Sequence, residues 1–278
     1  MKTLFLYSFV FLCILHNQTI IEQNQKTLLF FMNQLLPSLF ILCVFVQLLP
    51  TPKLKKNRRI SLLNIDYSSF FFIVKMMLLG NPANSYLVNQ LYKEKQISMI
   101  QAKRLITCVS IPSISFMLMT LPYLYNQKIA FIVFLIQILV IFLLLLFTRN
   151  ISINLSVQFK EKTLMESLLF SMKTMALILA YLFVISSIQS FILIYFPQIK
   201  KLTYLLIEFS SGTNHFIHCQ NPIPYLLICI GFGGFCAHLQ IMSGCDSLKL
   251  NYFHYLLYRI LHVILCFVIY FLFLAIIG

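Results

Sequence analysis

The sequence predicts an all-α polytopic membrane protein, with two inverted repeats, about seven transmembrane helices and two re-entrant hairpins. Three observations predict it. First, hydrophobic residues make up 60% of the 278 and charged residues only 10%, with a mean hydropathy of +0.89; soluble domains average roughly a quarter charged. Second, 21 Lys and Arg face 7 Asp and Glu, and the basic residues gather in short loops. That is the pattern of cytoplasmic loops rather than of a nucleic-acid surface, and such loops also attract anionic lipid. Third, two apolar stretches about 120 residues apart break alike. Ile106-Thr-Cys-Val-Ser-Ile-Pro-Ser-Ile-Ser-Phe116 aligns with Leu227-Ile-Cys-Ile-Gly-Phe-Gly-Gly-Phe-Cys-Ala237, each interrupted by Pro or Gly where a helix should run on. Broken backbone at membrane depth is tolerated only where protein buries it or a cavity adjoins it. Paired breaks in matching positions of two halves point to a transporter-like binding site.

Taken in order, Lys2 precedes an apolar run from Leu4 to Leu15 with no small-residue cleavage site after it. It reads as a first membrane helix rather than a signal peptide, and residues 1–27 comprise this helix and a connector. The first repeat spans 28–123. Leu28 to Pro50 crosses, with Pro37 inside it and Pro50 and Pro52 ending it. Lys53, Lys55, Lys56, Arg58 and Arg59 form a basic loop. Tyr67 to Leu79 is roughly 20 Å long as a helix, too short for a core of about 30 Å, and Pro82 to Tyr92 is a second short arm. A further basic loop follows, with Lys93, Lys95, Lys103 and Arg104. A single crossing would leave one basic loop outside, so 67–92 reads as a hairpin dipping in from the cytoplasm and returning. Ile106 to Tyr123 then exits.

Residues 124–150 hold a linking transmembrane helix, Ile129 to Phe147, which returns to Arg149, Lys160 and Lys162. The second repeat spans 151–242. Leu164 to Phe196 begins amphipathically, with Lys162, Glu166 and Lys173, and crosses outward. A second hairpin, 202–221, enters from outside with Gly212 at the end of its first arm, and Tyr225 to Met242 crosses inward. Residues 243–278 form a C-terminal helix. Three crossings separate the repeat starts, an odd number, so the repeats are inverted. The N-terminus is cytoplasmic on this reading, and Lys200 and Lys201 fall outside.

No chemistry of bond breaking is legible. The eight cysteines (13, 43, 108, 219, 229, 236, 245, 266) include no Cys-x-x-Cys pair, and no His or Cys cluster has metal-ligand spacing. They read as small packing residues. No Ser-His-Asp, paired-carboxylate or phosphate-loop pattern is present, so neither an enzyme, a cofactor nor a bound metal is expected. The binding candidates sit at the breaks: Lys75, Gly80, Asn81, Pro82, Ser110 and Ser113 in the first half; Glu208, Gly212, Thr213, Gly233, Gly234, His238 and Gln240 in the second. Asn81-Pro82 suits a helix start, read either as a tight turn or as a helix end aiming N–H groups at an anion. Lys75 and Glu208 occupy near-equivalent places and either face solute, pair, or snorkel to opposite surfaces. His238 and Gln240 offer polar contacts one turn beyond glycines that permit close approach. Arg259 and His262 share a helix face and read as structural.

Some of these residues resemble a known family. Gly80-x-Pro82, Lys-Glu-Lys-Gln-Ile-Ser at 93–98, Ala102-x-Arg104-Leu105, then Gly231-x-Gly233-Gly234-x-x-x-His238-x-Gln240 and Arg259-x-x-His262 look like the sporulation integral membrane protein YlbJ family. That family belongs to the nucleoside-recognition (Gate) domain group, which is similar to concentrative nucleoside transporters. The resemblance runs from about Leu28 onward. It departs at Leu79-Gly-Asn-Pro-Ala-Asn84, where the family has small residues, and at Cys108-Val-Ser-Ile-Pro112, where it has an Asn-rich break. It implies a permease in the bacterial cell or forespore membrane, moving a small organic anion such as dipicolinate or a nucleoside-like solute during sporulation. A non-transporting scaffold or pore subunit is the alternative. The expected partners are a small-molecule solute and the bilayer, with a coupling ion and self-association left open and no nucleic acid.

Overall fold

The structure, a computed structural model, describes residues 2–50, 59–153 and 162–277. Lys53, Lys55, Lys56, Arg58 and Lys160 of the basic loops lie outside the described residues. Among the described residues, five helical segments are long and apolar enough to cross a membrane: Asn17–Leu48, Gln127–Phe147, Leu164–Tyr195, Ile223–Gly244 and Tyr252–Ile276. The protein is an all-α integral membrane protein. The described residues add only a two-residue strand pair, Arg59–Ile60 with Ile65–Asp66.

Helix α1 (Lys2–Leu15) meets α2 (Asn17–Phe30) at a one-residue break, His16. Phe9 and His16 both pack on Phe191. The second helix therefore begins at Asn17 rather than Leu28. Its polar start, read above as a connector, consists mostly of residues that tolerate a helix well, Gln, Glu and Lys among them. A π-helical turn, Phe31–Leu35, joins α2 to α3 (Leu36–Leu48). Pro37 follows it, and a proline ring clashes with the carbonyl four residues back; a widened turn relieves that clash. The same device recurs at Phe116–Thr120, just before Pro122 in α7 (Leu121–Leu124). The two widened turns pack together, and Ser38 Oγ lies 3.1 Å from Thr120 Oγ1.

The first short pair is α4 (Tyr67–Leu79) and α5 (Ala83–Lys93), followed by α6 (Met99–Cys108), a non-helical stretch at 109–113, and a helix resuming at Ile114 that ends in α7. The starts of α4 and α6 meet at the same segment, residues 152–153. Asp66 caps α4, its carboxylate accepting from Ser69 N at 2.9 Å, and Asp66 N donates to Ile153 O. Gln101, at the start of α6, donates to Ser152 O. Arg104 knits this end together, donating to the carbonyls of Leu63, Leu145 and Ile151 and to Thr148 Oγ1.

Helix α8 (Gln127–Phe147) leads back, and α9 (Leu164–Tyr195) runs to the opposite end as one helix of 32 residues. The second short pair is α10 (Lys200–Leu206) and α11 (Phe209–His215). Its ends also lie together: the Tyr204 and His215 rings stack with centroids 3.8 Å apart, and Lys201 Nζ donates to Tyr225 OH at 2.8 Å. The turn falls at Ile207–Glu208 rather than at Gly212, which lies inside α11. The reason is local: Glu208 adopts extended backbone and caps α11 with its own side chain, a role more common for Asp, Asn and Ser. Helices α12 (Ile223–Phe232) and α13 (Gly234–Gly244) are joined at Gly233, and α14 (Tyr252–Ile277) closes the chain.

Candidate functional site

Two helix breaks each dock on one of the two turns. In the first break, Pro112 lacks an N–H and disfavours helix at Ile111. The carbonyls left without helical partners are met from the first turn. Asn81 N donates to Ile111 O at 2.9 Å and Asn84 Nδ2 to Val109 O at 3.0 Å. Asn81 Nδ2 donates to Ser110 Oγ at 2.9 Å, and that hydroxyl lies 2.7 Å from Tyr255 OH. Gly80 has φ +64°, and a Cβ there would lie 2.1 Å from Ser113 N. Only glycine permits this approach.

Asn81 therefore does not cap α5. The peptide bond to Pro82 is cis, and the first N–H groups of α5 are used within the turn: Asn84 N donates to Gly80 O at 2.9 Å and Ser85 N to Pro82 O at 3.0 Å. At the helix end considered from sequence as an anion site, the N–H groups of Asn84, Ser85 and Tyr86 are thus engaged within the turn.

In the second break, Gly233 and Gly234 have φ +86° and +73°. The last carbonyls of α12 are met by side chains. Arg259 donates to Phe232 O and to Gly231 O, and His238 Nε2 lies 2.9 Å from Phe232 O. Cys236 N donates to Ile207 O at 3.0 Å. A Cβ on Gly234 would sit 3.0 Å from Phe209 N and 3.1 Å from Glu208 Cα, so this glycine lies against the second turn.

Glu208 is 4% exposed. Its carboxylate accepts from Ser210 N at 2.9 Å, Ser210 Oγ at 2.7 Å and Ser211 N at 2.5 Å. Among the described residues no Lys, Arg or His forms an ion pair with it.

Between the two turns lies an inner cavity of about 30 Å³, room for a water molecule or two. Asn81, Pro82, Pro112 and Ser113 border it from the first half, and Glu208, Ser210, Cys236 and Gln240 from the second. Phe116 and Phe209 also line it, their rings edge to face with centroids 5.2 Å apart. A larger vestibule of about 250 Å³ adjoins it. Gln23, Lys26 and Thr27 of α2, Ser186 and Gln189 of α9, and Tyr204, Ser211, Asn214 and His215 of the second pair line that vestibule. Leu182, Glu208 and Ser210 border both spaces. Gln189 is 1% exposed, and its Nε2 has no hydrogen-bond partner among the described residues, a donor left over beside a polar space.

Of the residues singled out from sequence, Asn81, Pro82, Ser113, Glu208 and Gln240 border the inner cavity. Gly80, Gly234, Ser110, Gly233 and His238 build the breaks behind it. Gly212 and Thr213 pack α11; a Cβ on Gly212 would meet Tyr204 O at 2.2 Å, and Tyr125 OH donates to Thr213 O. Lys75 lies apart, with Nζ donating to the carbonyls of Gln47 and Leu49 at the end of α3. It does not meet Glu208. Sequence reasoning missed the vestibule, although its signal was present: Ser186-Ser187-Ile-Gln-Ser190 is a polar run inside an apolar span, and such residues face protein or water rather than lipid.

Comparison with family models, with curated proteins and with solved structures returned no match to this chain. Fold and site define its class: an all-α integral membrane protein in which two helix turns, each docked on a helix break, border a cavity.

Proposed function

We propose that the chain is a solute permease of the alternating-access kind, with the inner cavity as its solute site in a closed state and the vestibule as the route of access. One observation carries this reading: both turns, the first break and the helix that follows the second break border a single cavity, which shares Glu208 and Ser210 with a polar vestibule. Irregular backbone at that depth belongs beside a cavity. The order of elements supports an internal repeat, since a long helix, a short pair and a broken helix occur in each half. The starts of α4 and α6 meet at one segment, and Tyr204 and His215 of the second pair stack together, which supports two re-entrant hairpins; the odd number of crossings expected between the repeat starts supports inversion. Arg104 and Arg149 stand where α4 and α6 begin, and Lys93, Lys95 and Lys103 lie close to them in sequence, so that side is assigned to the cytoplasm. The resemblance to the YlbJ and Gate-domain group points the same way and suggests a role in sporulation.

Charge bears on the solute. Among the described residues bordering the inner cavity, Glu208 alone carries a formal charge, and an acid disfavours an organic dianion. A neutral, nucleoside-like solute with hydroxyl donors fits better than dipicolinate. Proteoliposome counterflow with labelled uridine, adenosine and dipicolinate tests this. Saturable exchange of a nucleoside without dipicolinate is the expected result. Exchange of dipicolinate alone overturns the solute assignment. Exchange of none of the three removes the assignment to these solute classes and favours a scaffold or pore subunit.

A further inference from the structure

We propose that Glu208 is the coupling-cation site of this protein and that the cation is a proton, whose binding opens the neck between the vestibule and the inner cavity. The word coupling rests on the permease reading; the opening of the neck does not.

The carboxylate is buried, without an ion-pair partner among the described residues, and borders two spaces at once. A charge so placed is retained at a cost in a membrane protein and is by default functional. Its partners also explain what protonation would do. The carboxylate holds Ser210 and Ser211 through three charge-assisted hydrogen bonds. Ser210 forms part of the wall between the two spaces, and Phe209, beside it, closes on Phe116. A proton taken from a hydronium ion in the vestibule leaves water behind and gives a neutral carboxylic acid. No other bond is made or broken. The acid is a weaker acceptor, and its O–H displaces one of the three donors, so the first turn of α11 loosens and the Phe209–Phe116 contact is released.

A metal cation fits less well. Two of the three groups on the carboxylate are backbone N–H donors, which turn hydrogens rather than oxygen ligands toward the place a cation would occupy. The groups facing Glu208 that titrate or carry charge are Tyr204 of α10, Cys229 of α12, Cys236 of α13 and, across the vestibule, Lys26 of α2 and His215 of α11. Helix α9 presents Leu182, Ser186 and Gln189, none of them titratable, to the vestibule beside it.

Cys236 provides a readout that needs no solute, because it borders the inner cavity and is 2% exposed. The full-length protein in liposomes is treated with methyl methanethiosulfonate, a small neutral reagent, and labelling is located by peptide mass. The rate at Cys236 is divided by the rate at partly exposed Cys219, which cancels most of the reagent's own pH dependence. In the wild type this ratio rises about tenfold from pH 8 to pH 5.5, the size expected when a charged helix cap is lost. In Glu208→Gln the ratio is high at both pH values. Ser210→Ala keeps the carboxylate and removes one donor, so its ratio starts higher at pH 8 and still rises on acidification. A flat wild-type ratio, or a Glu208→Gln ratio as low as wild type at pH 8, overturns the proposal. If Glu208→Gln does not fold, an unchanged Ser210→Ala ratio does the same. Replacing choline chloride by sodium chloride leaves every ratio unchanged; a sodium response at fixed pH overturns the assignment to a proton. Labelling as expected with no counterflow leaves the proton site standing and the permease reading without support. Counterflow with flat labelling removes the proton site alone.

Discussion

The two helix breaks solve one problem with different chemistry. Each leaves backbone carbonyls without helical partners inside an apolar body, where an unmet polar group costs about 1–3 kcal/mol. The first break, at 109–113, is made by a proline and answered by neutral groups: the Asn81 backbone and the Asn84 amide. The second, at Gly233–Gly234, is made by left-handed glycines and answered by Arg259 and His238. The turns that dock on them differ in the same sense. The first approaches through a bare glycine and an amide, the second through a buried carboxylate. At these junctions the first half therefore presents neutral groups, whereas Glu208 and His238, which can change charge, stand in the second.

The sharpest way to break this comparison is to add one methyl group to a glycine in each half. Gly80→Ala places Cβ 2.1 Å from Ser113 N and 2.4 Å from Ser113 Cα, both backbone atoms, at φ +64°. The expected loss is about 4 kcal/mol, at the high end for a point substitution. Gly233→Ala meets nothing closer than 4.0 Å and suffers only its left-handed conformation, about 1 kcal/mol. Thermal unfolding in detergent measures both, and equal losses would mean that the first turn does not press on the first break.

A second pair removes the groups that answer the carbonyls. Arg259→Met leaves Gly231 O and Phe232 O with fewer donors and should cost about 2–3 kcal/mol, since hydrogen bonds from charged groups are the stronger ones. Asn84→Ala orphans one carbonyl and should cost about 1–2 kcal/mol. The reverse order, read by the same unfolding assay, would sink the distinction between a charged and a neutral solution.

The smallest effect is expected at the α4–α5 end. Asp246 accepts from Asn89 Nδ2 at 2.7 Å and pairs with Lys93 at 3.2 Å, clasping α5 to the loop after α13. The Asn89 amide first, then Ser247 and Lys93, lower its carboxyl from 3.8 to about 2. A folded-state value below the unfolded one means that the clasp stabilises above about pH 4 and is lost as pH falls toward 2. The site is exposed, so Asp246→Asn should lower the melting temperature by only about a degree or two at pH 7. The wild-type difference should vanish by pH 2. A shift of about ten degrees would show that the clasp bears on the closed state as a whole.

Much of this architecture is legible in the residues. Composition identifies a membrane protein, and the short arms around Gly80 identify a helix pair because neither arm is long enough to span. The breaks at Pro112 and Gly233 are legible because proline and glycine act on their own backbone. The turn at Glu208 was not, since a glutamate cap leaves no mark that distinguishes it from a charged residue within a helix. Nor was the vestibule face of α2, whose Asn, Gln and Lys look like a loop until α9 packs beside them.

What the sequence determined by itself was local: helix, break and apolar span follow from the φ preferences of Pro and Gly and from the cost of polar groups in lipid, which act over a few residues. What only the tertiary structure decided was pairing. That Asn81 meets Ser110, that Arg259 answers Gly231, that Glu208 stands between two cavities and that Lys75 turns away to the end of α3 all depend on side chains brought together across 26 or more residues of chain. Several partners were chemically adequate for each group, and the packing of the helices chose among them.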